Sequence, residues 1–189
     1  MIVWLGTSPP FAGRFHTVSW VVLTGYMGAG KSTVGRAVAE RLDRPFLDSD
    51  AVIEHAAALD IPRIFATKGE VWFRRTEERT IRGIVESSPG GVLAIGGGAI
   101  ENPKTRDLLH RVASVIWLHA EPEQLWERVN GSSRPLATDE AQFLRRYARR
   151  ERFYRETAHV EIDALLPFEN VVTAAVNFAS GGSDPGRVE

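Results

Sequence analysis

Gly25-Tyr26-Met27-Gly28-Ala29-Gly30-Lys31-Ser32 is the stretch whose reading decides the fold. It satisfies every fixed position of the pattern G-x-x-x-x-G-K-[ST]. The apolar run Trp20-Val21-Val22-Leu23 before it reads as a strand, and after it Val34, Val38 and Leu42 recur at helical spacing. Strand, glycine-bearing turn and helix in that order build an anion cradle. The glycines let backbone N–H groups point inward, and the helix adds the positive end of its dipole. Lys31 is placed to reach the outer phosphates of a nucleoside triphosphate, and the Ser32 hydroxyl to ligate Mg²⁺. The bland alternative is a glycine-rich turn before an ordinary helix, and the matching context weighs against it.

Composition narrows the class. The chain has 189 residues, 43% hydrophobic and 25% charged, which is ordinary for one α/β domain with its own core. A net charge of −1 gives no global reason to expect a nucleic-acid partner. With no cysteine, disulfides, cysteine zinc sites and thiol catalysis are excluded. No apolar run reaches the roughly 18 residues a membrane span needs. Residues 1–17 show neither a basic leader nor a long apolar segment and read as an N-terminal extension. The domain is expected over 18–178, with a disordered tail at 179–189 whose composition is rich in glycine and serine.

Further candidates follow along the chain. Pro45-Phe46-Leu47-Asp48-Ser49-Asp50 reads as a short strand ending in two carboxylates at the ligand end of a parallel sheet. A capping role for Asp48 or Ser49 at the next helix is equally open at this point. A helix is expected over 70–87, with Phe73, Ile81, Ile84 and Val85 as its buried stripe and Thr80 and Glu77 around it. Arg74 and Arg75 sit on its first turn, where the helix dipole disfavours cations, which raises the question of an anionic partner. Gly91 to Ile95 reads as a buried strand running into Gly96-Gly97-Gly98, three residues that permit close backbone approach. Helices are also expected over 102–111, 123–129, 140–157 and 167–178, and strands over 114–118 and 159–163. The helix 140–157 is crowded with arginines, most of them read as a solvated basic face, with one or more available to an anion. Asn130 to Leu136 taken alone is a polar surface loop. The scattered histidines show no metal-ligand spacing.

The sequence GYMGAGKSTVGR, then FLDSD, IFATKGEVWFRRTE, LAIGGGA, VIWL, RPL and RRERFYRETA, closely resembles the shikimate kinase family over about residues 18–178. The phosphate loop is shared by many families; the DSD, FRR, GGGA and RP elements in this order are far more specific. The resemblance implies an α/β P-loop NTPase fold of the nucleoside-monophosphate-kinase type, a five-stranded parallel sheet flanked by helices, with a mobile lid around Arg134. It implies ATP-dependent phosphorylation of the 3-hydroxyl of shikimate, with Mg²⁺ as cofactor. ATP would be held by Gly28, Ala29, Gly30, Lys31, Ser32, Thr33, Arg128 and Arg134, and the metal by Ser32 and Asp48. Asp50, Arg74, Gly96, Gly97, Gly98 and Arg150 would form the acceptor side. Within that set Asp50 is the candidate base, Arg74 and Arg150 grip the substrate carboxylate, and Lys31 and Arg134 serve the transferring phosphoryl group. Leu136 is followed by Ala137 where the family commonly has a second leucine, which bears on the lid. The implied protein is a cytoplasmic monomer whose partners are ATP and shikimate, with no nucleic acid and no membrane. The alternatives are a kinase of the same fold for another acceptor, such as gluconate or a nucleoside monophosphate, and a nucleotide-binding switch module.

Overall fold

The computed structural model describes residues 2–4, 20–87, 89–130 and 139–181. In chain order the elements are β1 (Ile2–Trp4), β2 (Trp20–Thr24), α1 (Lys31–Arg41), β3 (Phe46–Asp48), α2 (Ser49–Ala57), α3 (Ile61–Ser87) and β4 (Val92–Ala94). A 3-10 turn at Ala99–Glu101 follows, then α4 (Pro103–Val112), β5 (Ala113–His119), α5 (Pro122–Val129), α6 (Glu140–Thr157), β6 (Val160–Asp163) and α7 (Phe168–Ala179). Arg134 and its loop, residues 5–17, and the tail from residue 182 lie outside the described residues.

The strands order as β1-β6-β5-β2-β4-β3. The five from β2 to β6 are parallel, as the sequence implies. A sixth strand extends them: β1 runs antiparallel along β6, with Ile2 opposite Ile162 and Trp4 opposite Val160. The central strands are apolar runs rather than alternating ones because helices cover both sheet faces. Helices α1 and α7 pack on each other, and α4 packs on α3 and α6. The core includes Val22, Leu23, Leu93, Ile116, Trp117, Leu109, Phe143 and Tyr154, all buried. His159 is buried among them and its Nδ1 accepts from the Val115 N–H, a packing role.

Register sets the site. Leu23 of β2, Ala94 of β4 and Asp48 of β3 stand level across the sheet. The segments that leave these three strands therefore emerge side by side at the carboxyl edge. The chain moves from β2 to one side through β3 and β4 and to the other through β5 and β6, so the crevice for a ligand opens beside β2.

Two details differ from the sequence reading. Asp50 is not at a strand end. The strand stops at Asp48, whose Oδ1 accepts from the Asp50 and Ala51 N–H groups and starts α2 at once. Asp50 thus rides on the first turn of a helix. Helix α3 begins earlier than residue 70, at Ile61, and is broken at Gly69, where φ is 80° and ψ 164°. A satellite cluster of Ile53, Ile64 and Phe73 locks α2 to both parts of α3. It ties the helix that carries Asp50 to the one that carries Arg74.

Gly91 shows how tightly the strand starts are packed. A β-carbon there would lie 2.8 Å from the Pro45 carbonyl oxygen and 2.9 Å from the Trp20 ring. Gly91→Ala is expected to cost about 1–3 kcal/mol, seen as a lower urea midpoint with an unchanged m-value. An unchanged midpoint would contradict this packing.

Candidate active site

The phosphate loop takes its shape from positive-φ glycines. Gly28 has φ 88° and Gly30 φ 86°, conformations that side-chain-bearing residues rarely adopt, and Gly30 caps α1. Ala29 is buried and Thr33 exposed on the first turn of α1. The Lys31 Nζ donates to the Tyr26 carbonyl at 3.1 Å, so the ammonium lies along the loop. Tyr26, at a variable position of the motif, is buried. Its hydroxyl donates to the Phe143 carbonyl at 3.1 Å, fastening the loop to α6. On the far side, Arg128 of α5 donates to the carbonyls of Gly28 and Ala164, bridging the loop to the segment after β6.

Asp48 serves two structures at once. One carboxylate oxygen caps α2, and the other accepts from the Ser32 hydroxyl at 2.6 Å. The capping and ligand readings of this residue are therefore compatible. Ser32 and Asp48 are hard oxygen donors held together, which fits Mg²⁺, a cation usually bound through one or two carboxylates, waters and substrate phosphates. Among the described residues no group of three or more histidines and acids is arranged to hold a metal ion by itself.

Across the crevice, each of the three glycines admits a different functional group. A β-carbon at Gly96 would stand 2.5 Å from Glu77 Oε1 and 2.7 Å from Asp50 Oδ1. At Gly98 it would stand 2.5 Å from Arg74 Nη1. At Gly97 it would meet the Gly25 carbonyl at 3.1 Å and the Tyr154 hydroxyl at 3.4 Å, and that hydroxyl donates to the Gly97 carbonyl at 2.6 Å. The buried Ser49 hydroxyl accepts from the Gly96 N–H at 3.1 Å.

The charges form one group. Arg74 donates to Glu77 Oε2 at 2.8 Å and, less closely, to Glu70 at 3.3 Å. Arg75 is exposed. Arg150 of α6 is buried and paired through Nε with Glu101. Its charge reaches Glu77, and that of Glu101 reaches Arg74. Burial, reinforced by Asp48, holds the Asp50 carboxyl above the ordinary range, against the pull of Lys31 and Arg74. Burial pushes Glu77 up to about 7, with Arg74 opposing it. Asp50 Oδ1 and Glu77 Oε1 are both buried without a hydrogen-bond partner among the described residues. Buried acceptors of this kind need a donor, which water, a proton on the carboxyl pair or a bound hydroxyl can supply.

Sequence reasoning named Asp48, Asp50, Arg74, Gly96, Gly97, Gly98 and Arg150, and the structure brings them to one edge of the sheet. It missed Tyr26, Glu77, Glu101 and Tyr154. Glu77 left a readable trace, an acid set within the apolar stripe of α3. Glu101 left none, because its partner Arg150 is 49 residues away.

A nucleotide-type phosphate loop facing a carboxylate-and-arginine pocket defines a P-loop kinase of small acceptors. A family model described as shikimate kinase matches residues 27–179. A shikimate kinase of Burkholderia pseudomallei (strain 1710b) is 46% identical over 154 residues, covering 79% of this chain and 83% of that protein. The solved shikimate kinase from Acinetobacter baumannii in complex with shikimate superposes with a TM-score of 0.76 at 35% identity, over 92% of this chain and 93% of that one. A gluconokinase from Sinorhizobium meliloti shares the fold alone, with a TM-score of 0.51 at 19% identity. The chain belongs to the shikimate kinase family, and is a kinase with the fold of that family.

Two measurements probe the geometry. The Gly98→Ala β-carbon would displace the Arg74 guanidinium. Acceptor KM is expected to rise by about tenfold or more with ATP KM unchanged, and an unaltered acceptor KM would contradict the packing. Glu77 is the second probe. Its carboxyl titrates near 4.5 when exposed and at about 7 in the fold. The folded state then holds the proton more tightly, so this contribution to stability is full below about 4.5 and is lost as pH rises through about 7. Relative to Glu77→Gln, the parent chain is expected to lose about 2–3 kcal/mol in urea denaturation between pH 5 and 8. A gain over that interval would mean the Arg74 ion pair outweighs burial.

Proposed function

We propose that this chain transfers the γ-phosphoryl group of ATP to the 3-hydroxyl of shikimate, giving shikimate 3-phosphate and ADP. The observation that carries the reading is the Asp50 carboxylate. It is half-buried, has one buried and unpartnered oxygen and a raised affinity for protons, and stands between the phosphate-loop side and the arginine side. Such a group can orient an acceptor hydroxyl and take its proton as the oxygen attacks phosphorus. Arg74 and Arg150 are the groups suited to a substrate carboxylate, since a planar guanidinium matches it bidentately. The glycine turn Gly96–Gly98 forms the floor on which the ring would lie.

On the nucleotide side, the backbone N–H groups of Gly28, Gly30, Ser32 and Thr33 would cradle phosphates at the start of α1, with Ala29 holding the loop's shape through its N–H to the Tyr26 carbonyl. Lys31 swings from its loop carbonyl to the outer phosphates. Arg128 flanks the nucleotide side from its seat on Gly28 and Ala164, consistent with adenine stacking. Ser32 and Asp48 would hold Mg²⁺, which supplies charge neutralisation on the phosphates when bound. Arg134 is assigned by family resemblance to the transferring group. Closure of its loop over the site would keep water from competing as acceptor. By family resemblance alone we read the protein as a cytoplasmic monomer.

The test is ADP release by a coupled assay, with Mg²⁺, in the presence of shikimate, gluconate or neither. Release dependent on shikimate is expected. Release that needs gluconate, or that ignores both acceptors, would contradict the proposal. Asp50→Asn is expected to lower kcat by about a hundredfold or more while ATP affinity holds. Arg74→Ala is expected to raise shikimate KM far more than ATP KM.

A further inference from the structure

We infer that Glu101 is a positioning residue for acceptor binding. It holds the Nε edge of Arg150 so that only the end-on fork of that guanidinium is offered to the substrate carboxylate. This rests on the reading that Arg150 receives that carboxylate.

Glu101 closes the 3-10 turn that follows the glycines, and Arg150 lies on α6. The two side chains meet across the crevice, Arg150 Nε donating to Glu101 Oε1. Arg149 Nη2 donates to the same carboxylate at 3.0 and 3.2 Å. The Arg150 side chain is only 6% exposed, against 63% for Arg149. Burial alone would raise the Glu101 carboxyl, but Arg150 and Arg149 outweigh it and hold it below the ordinary range.

A guanidinium can grip a carboxylate along its Nε–Nη edge or along its Nη–Nη edge. Glu101 occupies Nε, which closes the first mode. The flat face lies over the Tyr26 ring, 5.6 Å from its centroid, and Tyr26 is itself fixed to Phe143. Among the described residues the hydrogen bond of the Arg150 guanidinium is the one its Nε makes to Glu101. One edge and one face are held while the fork stays open. Without Glu101, Arg150 would be a buried cation without its paired carboxylate and free to take several rotamers, and substrate binding would bear the cost of ordering it.

The experiment compares steady-state kinetics of the full chain with Glu101→Ala, Glu101→Gln, Arg149→Ala and Arg150→Ala, varying shikimate and ATP separately. Glu101→Ala is expected to raise shikimate KM about tenfold, leaving kcat and ATP KM within about twofold. Glu101→Gln keeps an oxygen for Nε and is expected to recover most of that loss. Arg149→Ala, which leaves the Nε bond in place, is expected to stay near the parent. If Arg150→Ala leaves shikimate KM unchanged, the carboxylate reading of Arg150 fails and the inference fails with it. If Arg150→Ala raises shikimate KM but Glu101→Ala does not, the positioning role alone is overturned. A lowered shikimate KM in Glu101→Ala would overturn it too, since Glu101 would then be a competitor for Arg150. Glu101→Gln no better than Glu101→Ala would also count against it.

Discussion

A side chain at Gly96 or Gly98 would collide with a group the site needs, and one at Gly97 would be tight against its neighbours; this steric constraint organises the pocket. Asp50 and Glu77 close on Gly96, Arg74 on Gly98, and the Gly25 carbonyl and Tyr154 hydroxyl on Gly97. Two carboxylates and a guanidinium can then share a small buried volume. Their mutual charge sets the chemistry. Arg74 takes one oxygen of Glu77, burial raises both acids, and one oxygen on each is left without a donor. A ligand that brings hydroxyls and a carboxylate satisfies such a surface; an apolar ligand would leave it more costly than water does.

The sheet supplies the placement. Because Leu23, Ala94 and Asp48 are level, the phosphate loop, the glycine turn and the start of α2 are delivered to one edge without long excursions. The two halves of the site are tied by groups outside the motif. Tyr26 fastens the loop to α6, Tyr154 fastens α6 to Gly97, and Glu101 fastens the same helix to the turn beyond. Helix α6 is thus a brace between nucleotide and acceptor sides. The buried members of this arginine-rich helix are Phe143, Tyr147, Arg150, Tyr154 and Thr157.

Much of this was legible before any coordinates. The phosphate loop announces itself because its chemistry is local: glycines, lysine and serine must be adjacent. The bounds of α6, 140–157, followed from periodicity alone. A run of FLD followed by acids reads as one continuous strand through Asp50; the Asp48 cap that starts a helix there is a side-chain contact. Glu77 was partly visible as an acid in an apolar stripe. Glu101 and Tyr26 were not, since each acts through a partner more than 40 residues away, and spacing carries no signal over that distance. The pairing of β1 with β6 is non-local in the same way, and a three-residue strand has too little pattern to be read.

The central claim is that one buried constellation, floored by Gly96–Gly98, binds the acceptor with its carboxylate on the arginines and a hydroxyl on Asp50. A crystal structure of this protein with shikimate and ADP tests it most directly. The account requires the carboxylate between Arg74 and the terminal nitrogens of Arg150, and the 3-hydroxyl within hydrogen-bond distance of Asp50. A shikimate carboxylate bound away from both arginines, or a 3-hydroxyl turned from Asp50 toward solvent, would contradict it.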